Sequence, residues 1–246
     1  MKRCLVMLAA AAALAILALL AGCGAPHTSG AAAEFQLVHL SDDTANVRLY
    51  VDSVLVENLA GARTPDLLYP HAGAVLQSDS GTRLMEVRDP STNADVATES
   101  LVLAGGSVYD LLLLGRSAPQ SGEPPISLMT VGVATGVPAS SAHVRLVHAA
   151  IGQGPVDVVF QRTNGTVVPI ATGLSYGQVT NTSAGTAGAP GQTQLFLLSP
   201  STGALLVQSS GTTLASLNLP LVGGDSFPCA LLGTPGNLSI VTWTGP

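Results

Sequence analysis

"VRLVHAAIGQGPVDVVF", residues 144–160, contains two short apolar runs on either side of a turn that is rich in glycine and ends in Pro155. Valine and leucine dominate both runs, and Arg, His and Asp interrupt them only at single positions. Short runs of this kind, bounded by Gly and Pro, are typical of β-strands. The stretch therefore predicts two strands joined by a turn.

The same pattern occurs twice in the chain. Five segments of the first half recur in the same order in the second half. They are LVHL (37–40) with LVHA (146–149), VRLYV (47–51) with VDVVF (156–160), DPST (89–92) with SPST (199–202), LAGG to Gly (103–115) with LVGG to Gly (221–233), and ISLMT (126–130) with LSIVT (238–242). Five matches in one order indicate an internal repeat rather than chance.

Both copies predict an all-β fold. Short apolar runs, often alternating with polar residues, are separated by Gly, Pro, Asn, Asp and Ser, and no segment after the N-terminal leader has a capped 3.6-residue period. This pattern is typical of a β-sandwich. We predict two tandem sandwich domains, residues 34–131 and 142–246, of roughly 100 residues each, with the small-residue segment 132–141 as their linker.

Residues 144–160 resemble the opening of domain-of-unknown-function family 4397, with its Arg-x-Val-His-Ala run, Pro-containing turn and Val-Asp-Val. The later Gly-Gly motifs, each followed by an apolar strand and a glycine, fit the same family. The first copy departs from the pattern, because Gln36 and Arg48 stand where the second copy keeps Arg145 and Asp157. The resemblance covers most of residues 34–246. It implies an immunoglobulin-like β-sandwich of exported bacterial proteins, and it implies no activity.

The N-terminus predicts export and a lipid anchor. Lys2 and Arg3 precede an apolar core of 16 residues (5–20), which is the pattern of a signal peptide and shorter than the roughly 18 residues of a spanning helix. The sequence Leu-Ala-Gly-Cys that ends at Cys23 resembles the lipobox of bacterial lipoproteins, in which the cysteine is acylated after cleavage. We therefore expect residues 1–22 to be a signal peptide and residues 23–33 a lipidated, flexible tether. Gly24 in place of Asp implies, by the same resemblance, the outer membrane if the cell is Gram-negative.

Charge and cysteine content exclude several classes of function. Loss of Lys2 and Arg3 takes the net charge from −6 to −8 and leaves no lysine. Nucleic acid is then a poor partner, and covalent catalysis by lysine is excluded. Cys229 is the only cysteine besides Cys4 and Cys23, so neither an internal disulfide nor a cysteine zinc site is expected. The sequence leaves open whether Cys229 is buried or reactive.

The segment GLSYG (173–177) matches the G-x-S-x-G pattern of serine hydrolases. That motif requires a helix after the serine and a histidine later in the chain. The residues after Gly177 are β-branched and turn-forming, and His148 is the last histidine. We therefore interpret Ser175 as a turn residue and expect no catalytic residues. The alternative is an envelope hydrolase that uses His148 with Asp157 or Ser175.

His39 and His148 occupy equivalent positions in the two copies. A metal site would need further ligands, and Asp157 is the nearby carboxylate in the second copy. We expect each histidine to hydrogen-bond the backbone at the edge of a sandwich, and we expect no metal or cofactor. His148 and Asp157 are kept as candidate binding residues.

Charge is unevenly distributed between the copies. Thirteen of the 15 acids lie at or before Glu123, and only Asp157 and Asp225 follow. A neutral, hydrogen-bonding surface on the second copy suits a sugar or another envelope protein, and Trp243 is the candidate aromatic contact. The prediction is a non-catalytic envelope lipoprotein that binds or spaces a polysaccharide or protein partner.

Overall fold

The computed structural model describes residues 31–56, 66–180 and 197–245, and these residues form sixteen β-strands and no helix. The first half contains β1 (Ala33–His39), β2 (Arg48–Val51), β3 (Val54–Leu55), β4 (His71–Ser78), β5 (Gly81–Arg88), β6 (Asp95–Leu103), β7 (Val108–Leu114) and β8 (Ser127–Gly132). The second half contains β9 (Ala142–His148), β10 (Val156–Arg162), β11 (Val167–Leu174), β12 (Leu197–Leu198), β13 (Ser201–Ser209), β14 (Thr212–Leu221), β15 (Ser226–Thr234) and β16 (Asn237–Thr242).

The strands form four sheets, two in each half, with the same topology in both halves. The first half has the orders β4-β1-β7-β8 and β3-β2-β5-β6, and the second has β12-β9-β15-β16 and β11-β10-β13-β14. The first strand of each half pairs in parallel with the seventh, and the other pairs are antiparallel. The predicted fold class, two tandem immunoglobulin-like β-sandwiches, is confirmed. The exact bounds of the predicted domains and linker stay a prediction, with β8 ending at Gly132 and β9 beginning at Ala142.

Four of the five matched segments occupy equivalent strands, and one match is wrong. DPST (89–92) forms the turn between β5 and β6, whereas SPST (199–202) lies at the turn between β12 and β13. Both segments use Asp or Ser with Pro because these residues favour turns, so similar composition arose at non-equivalent places. By contrast, Gly115 directly follows β7 and Gly233 is the penultimate residue of β15, with φ of +90° and +100°. A Cβ at either position would overlap a carbonyl oxygen of the chain that enters the next strand, which explains the repeated glycine.

The described residues contain three apolar cores. Two of them lie between the paired sheets of each sandwich and contain, for example, Phe35 and Phe160. The third lies between the sandwiches, where the outer faces of β4-β1-β7-β8 and β12-β9-β15-β16 meet. Its buried members are Val38, Leu40, Leu112, Leu114, Val131, Val147, Ala149, Val179, Ala230 and Leu232. The two sandwiches therefore share a buried interface, which the alternation of residues within single strands did not predict.

The predicted signal peptide and Cys23 lie outside the described residues. Within 31–56, 66–180 and 197–245, no helix has the length and hydropathy needed to span a membrane. The lipid anchor stays a prediction.

Candidate functional site

A buried ionic cluster joins the two sandwiches. Asp110 on β7 is fully buried, and Arg145 on β9 is 2% exposed. The Nη2 atom of Arg145 donates to Asp110 Oδ2, and its Nη1 donates to the carbonyl oxygen of Gly132 at 2.8 Å. Trp243 Nε1 donates to the same Asp110 oxygen at 3.2 Å. Burial raises the pKa of Asp110, whereas the charge of Arg145 and the hydrogen bond from Trp243 oppose that rise.

This cluster gives Arg145 a structural role. Its partners lie on the first sandwich, so the pair links two bodies that are adjacent only in the folded chain. The equivalent residue of the first copy, Gln36, donates instead to Gly73 of its own sheet at 2.7 Å. The two copies differ at this position because Gln36 contacts its own sheet, whereas Arg145 contacts the neighbouring sandwich.

Trp243 lies at the rim of the interface, beside a cavity of about 200 Å³. Its indole N–H is engaged by Asp110, and the side chain is half-buried. Leu40, Pro70 and His71 of the first sandwich also line this cavity. The cavity is smaller than the roughly 300–1,000 Å³ of ordinary ligand pockets, so it accommodates a small group rather than a whole ligand. A binding role for Trp243 stays a prediction.

His39 and His148 are fully buried and make the same contacts in the two sandwiches. Each Nε2 lies within hydrogen-bond distance of a carbonyl oxygen six residues later, and each ring meets a tyrosine at its edge. The partners are Ala45 O at 3.0 Å and Tyr69 for His39, and Gly154 O at 3.2 Å and Tyr176 for His148. Burial lowers the pKa of both histidines, against the opposing effect of these hydrogen bonds. Each neutral ring therefore fixes the loop after its strand.

The GLSYG segment ends β11 with Gly173 and Leu174 and then enters a turn at Ser175, in agreement with the predicted turn. Ser175 O accepts a hydrogen bond from the backbone N–H of Gln178 at 3.0 Å, and Gly177 N–H donates to the carbonyl oxygen of His148 at 2.8 Å. Val179 then forms a β-bridge with Val147, so an extended segment follows the serine in the described chain. No supporting helix stands behind Ser175 within residues 66–180.

The structure brings His148, Asp157 and Ser175 to the same end of β11 without pairing their side chains. Asp157 Oδ1 accepts a hydrogen bond from the backbone N–H of Gly173 at 2.9 Å. The His148 ring is engaged by Gly154, and no hydrogen bond joins the side chains of these three described residues. No group of three or more His, Cys, Asp or Glu within the described ranges is placed to hold a metal ion.

Cys229 lies in the core of the second sandwich and is fully buried. Burial raises the pKa of its thiol to about 12. Because the thiolate is the reactive form, Cys229 is a structural residue.

Two larger cavities are lined by residues that the structure describes. One, of about 680 Å³, is bounded by the β6–β7 turn and residues 132–135. The other, of about 550 Å³, lies on the sheet β11-β10-β13-β14, which is the sheet of the second sandwich that faces away from the first. Its lining includes Gln161 and Asn218, which share one row with Ala204 on the solvent face of the sheet. Sequence reasoning missed this site, and the one available signal was the scarcity of charge in the second copy.

Comparison with known proteins gives a family and distant structural likenesses. No curated protein matches the chain. A carbohydrate-binding module of family CBM26 from Eubacterium rectale Amy13K, solved with maltoheptaose, has a TM-score of 0.28 and 10% identity, with coverage of 87% of this chain and 98% of that chain. The TIE protein of Bacillus anthracis has a TM-score of 0.24 and 9% identity, with coverage of 81% and 33%.

The family comparison is more informative. One match covers residues 33–159, which is just over half of the chain. It includes the first sandwich, β9 and the first four residues of β10, so a complete second copy of the family domain stays a prediction. The chain belongs to the family described as domain of unknown function (DUF4397).

Proposed function

We propose that the protein is a non-catalytic module of the cell envelope that binds or spaces an envelope polysaccharide or protein. The proposal rests on one observation. The side chains that could take part in catalysis instead form internal contacts that stabilise the fold. His148 and Asp157 bond the backbone, Cys229 is buried, and Arg145 is paired with Asp110. The solvent-exposed surface of the second sandwich is rich in neutral, hydrogen-bonding residues and contains a cavity of about 550 Å³.

The shared interface supports a spacing role. Ten buried apolar residues and the Arg145–Asp110 pair join the two sandwiches. Apolar interfaces of this kind restrict relative domain motion. The module would therefore present its outer sheet at a fixed distance and orientation from the tether.

We further propose that acyl chains on Cys23 hold the module to the membrane, in the outer membrane if the cell is Gram-negative. Replacement of Cys23 by serine is expected to release the protein from the membrane fraction, because several acyl chains supply the binding energy. Mass spectrometry of the mature N-terminus checks the attachment directly. An unmodified Cys23 in the wild-type protein, or retention of residues 1–22, would contradict the anchor.

Binding is tested with the lipid-free protein, residues 24–246, immobilised against polysaccharide and protein fractions of the envelope separately. If Trp243 contacts the partner, Trp243→Leu is expected to weaken capture up to about tenfold, since an aromatic contact contributes about 0.5–1.5 kcal/mol. Trp243→Phe is the matched control, because it also loses the hydrogen bond to Asp110 but keeps an aromatic ring.

Two results would count against the proposal. Equal loss of capture in Trp243→Leu and Trp243→Phe would show that the aromatic ring of Trp243 does not contact the partner. Hydrolysis of an ester, peptide or glycan that disappears in a folded His148→Gln variant would replace the non-catalytic proposal with the hydrolase alternative.

A further inference from the structure

The outward face of the outer sheet in the first sandwich, β3-β2-β5-β6, carries a cluster of paired charges. Arg88 forms ion pairs with Glu86 at 2.6 Å and with Asp95 at 2.9 Å. Its guanidinium group also lies over the Tyr50 ring, 4.5 Å from the ring centre. These side chains are hydrophilic and contact one another, so this face suits contact with water.

The second sandwich has an uncharged residue at each equivalent position. The repeat aligns Tyr50 with Val159. Glu86 pairs with the first of these and Leu206 with the second, so Glu86 and Leu206 are equivalent as well. The residues that replace Tyr50, Glu86, Arg88 and Asp95 are, in order, Val159, Leu206, Gln208 and Thr213. Aliphatic and neutral polar side chains therefore replace an ion-paired cluster.

Val159 and Leu206 form part of an apolar row that faces solvent. They alternate with core-facing residues along their strands, and strand pairing continues the row to Pro169 on β11. Val167, on the same face of β11, has 52% of its surface exposed. Single exposed apolar residues are common, whereas a contiguous apolar patch marks a contact surface. This face therefore has the composition of an interface.

The same face has a projection next to a depression. On β13, Leu206 projects outward, and Ala204 faces the same way two residues earlier with only a methyl group. Gln161 and Asn218 flank Ala204 on the neighbouring strands, and the cavity of about 550 Å³ lies there. A two-fold axis through the face near Leu205 would place the Leu206 side chain of each copy in the depression of the other. A symmetric dimer requires a patch that is complementary to itself in this way.

The charge distribution favours a second copy of this chain as the occupant. Thirteen of the 15 acids lie at or before Glu123, so the first half of the chain is strongly anionic. The four strands of the outer sheet in the second sandwich contain one acid, Asp157, and one arginine, Arg162. This sheet also faces away from the first sandwich. Two copies of an anionic protein repel each other least when they meet through such uncharged faces.

We propose that two copies associate face to face through the outer sheets of their second sandwiches, with Leu206 of each copy packed on Ala204 of the other. Four strands of seven to ten residues present roughly 500 Å² per copy. The resulting total of about 1,000 Å² is in the range of weak, reversible association. This inference rests on the proposed binding or spacing function and specifies its protein partner. Trp243 belongs to the inter-sandwich core, so its test is independent of this face.

Sedimentation equilibrium of the lipid-free protein, residues 24–246, over about a hundredfold range of concentration tests the inference. The wild type is expected to show a monomer–dimer equilibrium with a dissociation constant on the order of 10 μM, given the size of the interface. Leu206→Lys is expected to raise that constant at least about a hundredfold, because symmetry places the new charge in the interface twice. Leu84→Lys is the matched control, since Leu84 is an exposed leucine on the outward face of the first sandwich.

A mixing experiment tests the packing of Leu206 on Ala204. Ala204→Glu alone is expected to prevent association, for the same reason as Leu206→Lys. An equimolar mixture of the two variants is expected to form a heterodimer, because one lysine then meets one glutamate and the other contact keeps Leu206 on Ala204. Thermal unfolding at low concentration checks that both variants stay folded, since both side chains face solvent in a single copy. A mixture that does not associate would contradict this packing.

Four outcomes would overturn the inference. They are a dimer that persists in Leu206→Lys, equal loss of the dimer in Leu84→Lys, growth beyond the dimer with concentration, and a wild type that stays monomeric. Growth beyond the dimer counts because a two-fold contact closes on itself. If the wild type is monomeric, capture by envelope fractions still decides the proposed function. Loss of that capture in Leu206→Lys would then assign this face to a different protein.

Discussion

Replacement of Arg145 by methionine is expected to lower the free energy of unfolding by about 3–5 kcal/mol. The variant keeps most of the side-chain volume but leaves the fully buried Asp110 without its cation. Loss of one partner destabilises the protein by more than the intact pair stabilises it. The desolvation cost of the remaining buried charge is then no longer offset by an ion pair. Equilibrium unfolding in urea measures the loss. Arg83→Met is the matched control, since Arg83 pairs with Asp52 at the surface and such pairs contribute about 0–1 kcal/mol.

Two further measurements separate the charge effect from lost packing. The double variant Asp110→Leu with Arg145→Met removes both charges and is expected to recover at least half of the loss. The loss in Arg145→Met is also expected to be smaller at pH 5 than at pH 7. Without Arg145 the pKa of Asp110 rises further, so the carboxyl group can become neutral. If Arg145→Met is no less stable than Arg83→Met, the cluster does not hold the sandwiches together.

Acidification from pH 7 to pH 5 is expected to destabilise the protein by about 2 kcal/mol through His143 alone. Burial, assisted by the charge of Arg145, lowers the pKa of His143 from 6.5 to about 4. Between these two pH values the unfolded chain binds a proton that the folded chain does not, so stability falls as the pH falls. His39 and His148 act in the same direction, because burial lowers their pKa as well.

Between pH 7 and pH 5 the free energy of unfolding of His143→Gln is expected to fall by about 2 kcal/mol less than that of the wild type. Urea unfolding at pH 7, 6 and 5 gives the slopes, and His71→Gln is the control because His71 is exposed. Carboxylates such as Asp52, whose pKa is lowered below 3.8 by bonds to Leu84 and Arg83, lose their stabilising effect only at lower pH. Identical slopes for wild type and His143→Gln would show that the buried ring does not control acid stability.

The strands and the repeat were predictable because they depend on local pattern. Alternation and turn residues predicted strands such as Arg48–Val51, and the repeated order of segments predicted two copies of one topology. The wrong match of DPST with SPST shows the limit of this reasoning. Turn composition repeats wherever a chain reverses, so it does not by itself establish equivalence.

The site residues were less predictable than the fold. Trp243 was a candidate for an exposed contact, but its exposure depends on the first sandwich, which covers part of the ring and accepts its N–H. The structural role of Arg145 did not stand out in the sequence either, because its partner Asp110 lies on another strand and only the folded chain brings the two side chains together.

The sequence by itself determined the all-β class and the tandem repeat, since a two-residue period and turn residues act within a few positions of one another. The tertiary structure alone decided that the two sandwiches share a core and that Asp110 lies inside it with Arg145. The continuous apolar run Leu111–Leu114 signals burial on both faces of a strand. It does not say which surface covers the second face, because that contact joins residues far apart in the chain.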